Sequence, residues 1–157
     1  EGGPITPANS SSISDGASAL LLASEDAIAS HDLKPRARIV AHARNSLAPE
    51  DFTLAPIGAA EQVLVKAGWS ASDVDLWEIN EAFAMVTMLT TRALDLDPTC
   101  VNVHGGACAQ GHPIGSTGSR IIVTLMHALE HYGKQRGIAA LCIGGGEATA
   151  VAIELVS

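Results

Sequence analysis

The feature that most limits what this chain can fold into is a glycine-rich stretch at residues 105–115, GGACAQGHPIG, which holds a single histidine, His112. Glycine weakens a helix or strand through its backbone entropy, and proline removes a backbone donor. This composition therefore predicts a loop whose backbone passes close to another group. A second glycine run, residues 144–146, follows an apolar segment that ends in Cys142 and Ile143. We expect the two loops to meet at one site, with His112 facing Cys142.

Charge and composition exclude several classes of function. The 157 residues suffice for one domain, and 47% hydrophobic against 17% charged residues indicates a packed domain rather than a disordered chain. A net charge of −8 argues against nucleic acid as a partner, because phosphate binding needs clustered Lys and Arg. Three cysteines without a CxxC pair fit neither a disulfide framework nor a zinc cage, and they favour a reducing, cytoplasmic location. The apolar runs are shorter than the ~18 residues that a membrane helix needs.

The distribution of turn formers separates a terminal loop from a domain. Residues 1–16 contain two prolines and a serine run, which predict a linker or a substrate-contacting loop. Residues 17–157 are then one domain. Its first segment, residues 17–23, is apolar and fits either a helix or a buried strand.

Alternating strand and helix patterns predict an α/β fold. Strands are expected at 36–43, 75–79, 101–103, 138–143 and 148–155, with the last two joined as a hairpin. Helices are expected from the N-cap Ser24 until Lys34, over 57–67 before Gly68, from the N-cap Asn80 to Leu94, and over 115–132. Ile121, Ile122, Leu125 and Leu129 are expected to face the core. We therefore predict a layered domain with a mixed five-stranded sheet covered by helices.

His112 and Cys142 are the candidate chemical groups. An imidazole can donate or accept a proton near neutral pH, and a thiol can be activated by a nearby histidine. The backbone amides of residues 144–146 could bind a developing oxyanion. The residues alone also fit a simpler alternative: a loop histidine bonded to a backbone carbonyl, and a buried structural cysteine at a strand end.

Two other motifs are weaker candidates for functional sites. His127 and His131 fit an HxxEH zinc-protease pattern, but they lie opposite much of the apolar stripe of their helix. A solvated polar face is the favoured interpretation, and no metal site is predicted. The glycines at 144–146 do not form a GxGxxG fingerprint, so we predict no dinucleotide cofactor.

Three segments together resemble a known family. Asn80-Glu81-Ala82-Phe83, the GHPIG sequence at 111–115 and the CIGGG sequence at 142–146 are similar, in order and spacing, to the three C-terminal motifs of the thiolases. The resemblance covers essentially the whole chain and is strongest to the acetyl-CoA acetyltransferase branch. It implies a thiolase-like C-terminal domain. In that family a homologous N-terminal domain carries the nucleophilic cysteine. The chain starts at Glu1 without a methionine, so we expect it to be part of a longer protein and inactive alone.

The resemblance also implies roles for individual residues. Cys142 would be the acid/base at the methyl carbon of acetyl-CoA, and His112 would activate the nucleophilic cysteine and hold the enolate oxygen. Asn80 would anchor a water in that oxyanion site, while the Gly144 amide would serve a second oxyanion site. Three further residues would contact substrate: Ser11 the pantetheine arm, and Phe52 and Phe83 the acyl pocket.

The implied reaction is the condensation of acetyl-CoA to acetoacetyl-CoA and the reverse thiolysis of 3-ketoacyl-CoA. Coenzyme A thioesters would be substrates, without a separate cofactor, and the protein would form homodimers or homotetramers. Gln110, Glu147 and Ser12 depart from the usual family residues, which leaves the acyl length open. Two alternatives remain: a non-catalytic binding or oligomerisation module, and a ketoacyl synthase-like enzyme. Cys142 disfavours the latter, which typically has a second histidine there.

Overall fold

The computed structural model describes residues 3–156, which form a layered α/β domain. The regular elements follow one another as α1 (Glu25–Ser30), β1 (Ala37–Ser46), α2 (Ala55–Ala67), β2 (Leu76–Ile79), α3 (Ala84–Ala93), α4 (Ala107–Gln110), α5 (Thr117–Tyr132), β3 (Arg136–Ile143) and β4 (Glu147–Leu155). In the described part of the chain, no helix is both long and apolar enough to cross a membrane.

The strands form one mixed sheet in the order β1-β4-β3-β2. Strand β4 runs antiparallel to both β1 and β3, and β2 runs parallel to β3. The predicted hairpin is confirmed, because Ile143 pairs directly with Glu147 across its turn.

The prediction of a fifth strand was wrong. Residues 101–103 make only one isolated bridge, between Val101 and Trp77. The next residue, Asn102, has a positive φ of 49°, which ends the extended backbone. Its side-chain oxygen accepts from the Ile79 N–H at 2.8 Å, and its amide donates to the Ile79 carbonyl at 2.9 Å. A side chain thus satisfies the edge of β2 where a fifth strand would have paired.

Two helical layers cover the two faces of the sheet. Alternation along β2 sends Trp77 and Ile79 towards α2 and Leu76 towards α5. The α2 face is built largely from alanines, which allow a close approach of helix and sheet: Ala43, Ala55, Ala59, Ala60, Ala140, Ala148, Ala150 and Ala152. On the other face, Ile121, Leu125 and Leu129 are buried as predicted, whereas Ile122 is only partly buried.

Local sequence signals predicted two helix ends correctly, whereas α1 ends at Ser30, before the predicted Lys34. The Ser24 hydroxyl accepts from the Ala27 N–H at 3.2 Å and caps α1, and Gly68 ends α2 with a φ of 70°. The prediction that Asn80 caps the next helix was wrong, because α3 begins at Ala84 with Phe83 as its N-cap. The backbone of Asn80 instead continues β2, donating to the Ala140 carbonyl at 2.9 Å. The apolar residues 17–23 form neither a helix nor a strand.

Candidate functional site

His112 lies in a loop that connects α4 to α5. The glycine-rich stretch is a loop except for the four residues of α4. Gly111, directly before His112, has a φ of 90°, and a Cβ there would collide with the Ser14 side chain. The His112 N–H donates to the Ser12 carbonyl at 2.9 Å, so residues 12–14 hold the loop. The glycine stretch therefore permits a close approach, as predicted, and its first partner is the N-terminal segment of the chain.

The imidazole of His112 is oriented by Thr117 at the start of α5. Its Nδ1 lies 2.7 Å from the Thr117 Oγ1, and that hydroxyl donates to the Pro113 carbonyl at 3.0 Å. With its proton directed to Pro113, the hydroxyl accepts from Nδ1–H, which makes Nε2 the basic nitrogen. Burial lowers the pKa of His112, and the charge of Arg120 lowers it further. A neutral imidazole that can accept a proton is the form favoured at neutral pH.

Asn80 follows β2 and has an unusual buried side chain. It is 1% exposed, and both its Oδ1 and its Nδ2 are without a hydrogen-bond partner among the described residues. Leaving a buried amide unsatisfied costs about 1–3 kcal/mol for each group, so such a group is expected to bind a ligand or a water. This side chain is therefore available for the water-anchoring role that the sequence resemblance implies.

Cys142 lies near the carboxyl end of β3, on the α2 side of the sheet. It is 9% exposed and belongs to the alanine-rich core cluster. Burial raises the pKa of its thiol, so the protonated form predominates at neutral pH. Phe52 and Phe83 pack against the same cluster with their ring centroids 6.1 Å apart, edge to face. The structure thus brings Cys142 and the two predicted pocket residues into one apolar cluster.

Ser11 lies beside the segment that joins β2 to α3. Its N–H and its hydroxyl both donate to the Ala82 carbonyl, at 3.2 and 3.0 Å. The neighbouring Ser10 bridges to Phe83. Through these contacts the N-terminal loop connects two of the three family-like motifs, since residues 12 and 13 also pair with His112.

Two of the predicted residues, Asn80 and Cys142, lie at the same edge of the sheet. Strands β2 and β3 are parallel, so their carboxyl ends lie together, and Asn80 and Cys142 are at those ends. His112 lies in the loop before α5 and contacts Thr117, the first residue of that helix. Within residues 3–156 no hydrogen bond joins the side chains of His112 and Cys142, so their direct facing stays a prediction.

Three polar residues of β2 and α5 stand in none of the sequence motifs: Glu78, Thr117 and Arg120. Glu78 is 2% exposed and Thr117 is fully buried. A glutamate inside the otherwise apolar strand β2 was the available signal, because ionisable residues are rarely buried without a partner. No local pattern could have linked it to Arg120 on α5.

His127 and His131 are exposed on α5, as the solvated-face interpretation predicted. The Nδ1 of His127 lies 2.9 Å from the Val123 carbonyl, and the ring of His131 contacts those of His104 and Tyr132. Across the described residues, no group of three or more His, Cys, Asp or Glu is arranged to hold a metal ion.

The turn after Cys142 gives a test of the local geometry. Gly146 has a φ of 88°, and a Cβ there would lie 2.8 Å from the Ala48 carbonyl oxygen and collide with that of Leu47. We expect Gly146→Ala to lower the free energy of unfolding by about 2–4 kcal/mol, because strain and overlap add. Gly144 has open space around its Cα, so Gly144→Ala should change stability by less than about 0.5 kcal/mol. Urea unfolding of both variants measures the difference. Equal stability would contradict this description of the turn.

Known proteins resemble this chain over almost its whole length. It is 49% identical to the cytosolic acetyl-CoA acetyltransferase of Mus musculus over 152 residues, which are 97% of this chain and 38% of the murine protein. It is 44% identical to the mitochondrial acetyl-CoA acetyltransferase of Homo sapiens over 154 residues, which are 98% of this chain and 36% of the human protein. The chain therefore spans less than two fifths of the length of these relatives.

Solved structures give the same result. The acetyl-CoA acetyltransferase of Bacillus anthracis superposes with a TM-score of 0.94 at 43% identity, covering 97% of this chain and 39% of that one. The Acat5 thiolase of Ascaris suum, solved in complex with coenzyme A, superposes with a TM-score of 0.89 at 42% identity. The match covers 98% of this chain and 40% of that one. Residues 33–155 match the family described as "Thiolase, C-terminal domain". This chain belongs to the thiolase family, and its fold is that of the family's C-terminal domain.

Proposed function

We propose that this chain is the C-terminal catalytic half of a thiolase. In this proposal it acts in the condensation of two acetyl-CoA molecules to acetoacetyl-CoA and in the reverse thiolysis of a 3-ketoacyl-CoA. The observation that carries the proposal is the 1% exposed amide of Asn80, which has no hydrogen-bond partner among the described residues and lies at the same sheet edge as Cys142. An unsatisfied buried amide costs stability, whereas an oxyanion site can use it to bind a water or an oxygen.

The chemistry divides between this chain and a cysteine outside it. That cysteine would attack the thioester carbon of the first acetyl-CoA and release coenzyme A. The Cys142 thiolate would remove a methyl proton from the second acetyl-CoA. The resulting enolate carbon would then bond to the acetyl group, and the nucleophilic cysteine would depart as its thiolate. His112 and a water on Asn80 would stabilise the enolate oxygen, and the Gly144 amide would stabilise the tetrahedral intermediate.

The environment of Cys142 suits an acid/base that acts in both condensation and thiolysis. Because burial raises its pKa, the resting thiol can protonate the departing carbanion in thiolysis. Condensation requires the thiolate, so its rate should rise with pH as the thiol ionises. Phe52 and Phe83 pack against the same cluster and would line the acyl pocket.

The substrate contacts and the cellular setting belong to the same proposal. Ser11 would contact the pantetheine arm of coenzyme A. The structure of the Ascaris suum relative in complex with coenzyme A supports coenzyme A as the ligand. The N-terminal thiolase domain would be the principal protein partner, within a homodimer or homotetramer. The cytoplasmic location stays a prediction, because the relatives include cytosolic and mitochondrial enzymes.

A chimeric enzyme tests the proposed function. In it, this chain replaces the matching 38% of the murine cytosolic acetyl-CoA acetyltransferase, which supplies the remaining part of the protein. We expect the chimera to form acetoacetyl-CoA from acetyl-CoA and to cleave acetoacetyl-CoA with coenzyme A. The unaltered murine enzyme is the positive control. A chimera that unfolds cooperatively near the temperature of the murine enzyme, yet catalyses neither direction, would refute the proposal and favour a non-catalytic module.

A further inference from the structure

A carboxylate links the segment that follows β2 to the loop that carries His112. Glu81 comes directly after Asn80, and its Oε2 accepts from the Cys108 N–H at 3.0 Å. Cys108 is the second residue of α4, the short helix that leads into the His112 loop. The carboxylate therefore connects the neighbour of one proposed oxyanion group with the loop that holds the other.

Hydrogen bonds make the loop around α4 a single unit. The Gly111 N–H donates to the Ala107 carbonyl at 2.9 Å, which closes the turn of the helix. The side-chain amide of Gln110 donates to the His104 carbonyl at 2.9 Å and so returns to the start of the loop. A shift of α4 would therefore displace the imidazole that follows this unit.

The other end of the link is fixed to the sheet. The Asn102 side chain forms two hydrogen bonds with the backbone of Ile79 in β2, and its Nδ2 lies 3.5 Å from the Glu81 Oε1. The Cys108 Sγ lies 3.9 Å from the Glu81 carbonyl oxygen, within reach of a weak thiol hydrogen bond. The carboxylate thus contacts an anchored side chain on the sheet side and a backbone amide on the loop side.

The lack of a side chain at Gly106 makes room for this carboxylate. A Cβ there would overlap the carboxyl group of Glu81, whose atoms are its nearest neighbours. The backbone of Gly106 has a φ of −119° and a ψ of −173°, an extended conformation that any residue adopts. A glycine is therefore needed at this position for the approach of Glu81 and not for the course of the backbone.

We propose that Glu81 is a positioning residue that sets the distance between Asn80 and His112, the two groups assigned to the enolate oxygen. The proposal rests on the proposed thiolase function, from which the roles of those two groups come. The Asn80 side chain makes no hydrogen bond among the described residues, so it has no direct hydrogen bond to the imidazole. The Glu81 carboxylate supplies the missing connection between the two segments.

Precise spacing matters because both groups must reach the same oxygen atom. A misplacement of about 1 Å in such a site can lower the rate on the order of 10²-fold. Glu81 is assigned no contact with the substrate, so it would act only through the two residues that it spaces. Its loss should therefore slow the chemical step more than it weakens substrate binding.

Replacing Glu81 with Ala in the chimeric enzyme tests this role. We expect kcat for condensation to fall by about 10–100-fold, while KM for acetyl-CoA changes by less than about threefold. Glu81→Gln keeps an oxygen that can accept from the Cys108 N–H, so its kcat should stay within about threefold of wild type. Glu61→Gln, an exposed change on α2, is the matched control and should leave both constants unchanged.

A double-mutant cycle with Gly106 shows whether the carboxylate contact itself is responsible. Gly106→Ala would push the Glu81 carboxyl group, the end of a flexible side chain, away from Cys108. It should therefore lower kcat about as much as Glu81→Ala does. In Glu81→Ala the space is empty, so adding Gly106→Ala should lower kcat by less than about a further twofold. Losses that multiply in the double variant would overturn the proposal.

The Cys108 amide gives a readout in this chain that does not depend on activity. Its hydrogen exchange should be at least about tenfold faster in Glu81→Ala and in Gly106→Ala than in the wild type and Glu81→Gln. The amides of β3 and β4 should keep their protection, which shows that the fold is intact. Equal exchange of the Cys108 amide in the four proteins would contradict the contact on which the proposal depends.

The outcomes also separate this proposal from the proposed function. An active chimera in which Glu81→Ala keeps the wild-type kcat would remove the positioning role and leave the thiolase assignment in place. An inactive chimera would refute the proposed function and with it the catalytic meaning of Glu81. Exchange of the Cys108 amide would still decide whether the carboxylate holds the loop.

Discussion

Replacing Cys142 with Ser in the chimeric enzyme is expected to lower the condensation rate by about 10²–10⁴-fold, the usual contribution of a general acid or base. A serine hydroxyl remains protonated at neutral pH and cannot remove the methyl proton of acetyl-CoA. Cys142 is 9% exposed within a closely packed cluster, and serine is slightly smaller than cysteine. The substitution therefore changes the chemistry of the site far more than its packing.

Separating the two half-reactions makes this prediction specific. The first half-reaction, in which the nucleophilic cysteine is acetylated and coenzyme A is released, should persist. It would be seen as a burst of free thiol in stopped-flow measurements. Exchange of the acetyl-CoA methyl protons with solvent deuterium should be lost together with condensation. Cys100→Ser is the matched control, since that thiol is half-buried and outside the site, and it should leave both steps unchanged. Equal loss of acetylation and proton exchange in Cys142→Ser would contradict the assignment of Cys142 as the base.

Sequence reasoning succeeded for features that depend on neighbouring residues. The Ser24 cap, the Gly68 stop and the β3–β4 hairpin are each determined within a few positions of the chain. It failed at Asn80, where local preference for a cap lost to a backbone hydrogen bond with Ala140 on another strand. It failed at residues 101–103 for a similar reason. There, a side chain of the same segment satisfies the edge of β2.

The same distinction applies to the candidate site. The residues carrying the family resemblance were identified by sequence because each stands in a short ordered motif. Glu78 and Arg120 stand in no such motif, and they meet only because α5 packs across β2. The orientation of His112 by Thr117 could have been predicted, since the two are only five residues apart and Thr117 begins α5. The pairing of charges across the layers depends on tertiary packing that no local pattern encodes.

Replacing His112 with Ala in the chimeric enzyme is expected to slow iodoacetamide alkylation of the nucleophilic cysteine by about tenfold or more at pH 7. A thiol with its ordinary pKa near 8.5 is only a few per cent thiolate at that pH, and an adjacent imidazole that accepts the proton raises that fraction. The structure favours this role, because Thr117 engages Nδ1 and burial and Arg120 keep the ring neutral.

The pH dependence of labelling identifies the cause. Above about pH 9.5 the thiol ionises without help, so the rates of the wild-type chimera and His112→Ala should converge there. His127→Ala is the matched control, because His127 is exposed on the outer side of α5 and should label at the wild-type rate at every pH. Unchanged labelling kinetics at pH 7 in His112→Ala would exclude His112 as the activating base. A labelling rate that stays below the wild-type rate at pH 9.5 would instead indicate a displaced nucleophile. Activation by proton transfer requires both the loss at neutral pH and the recovery in alkali.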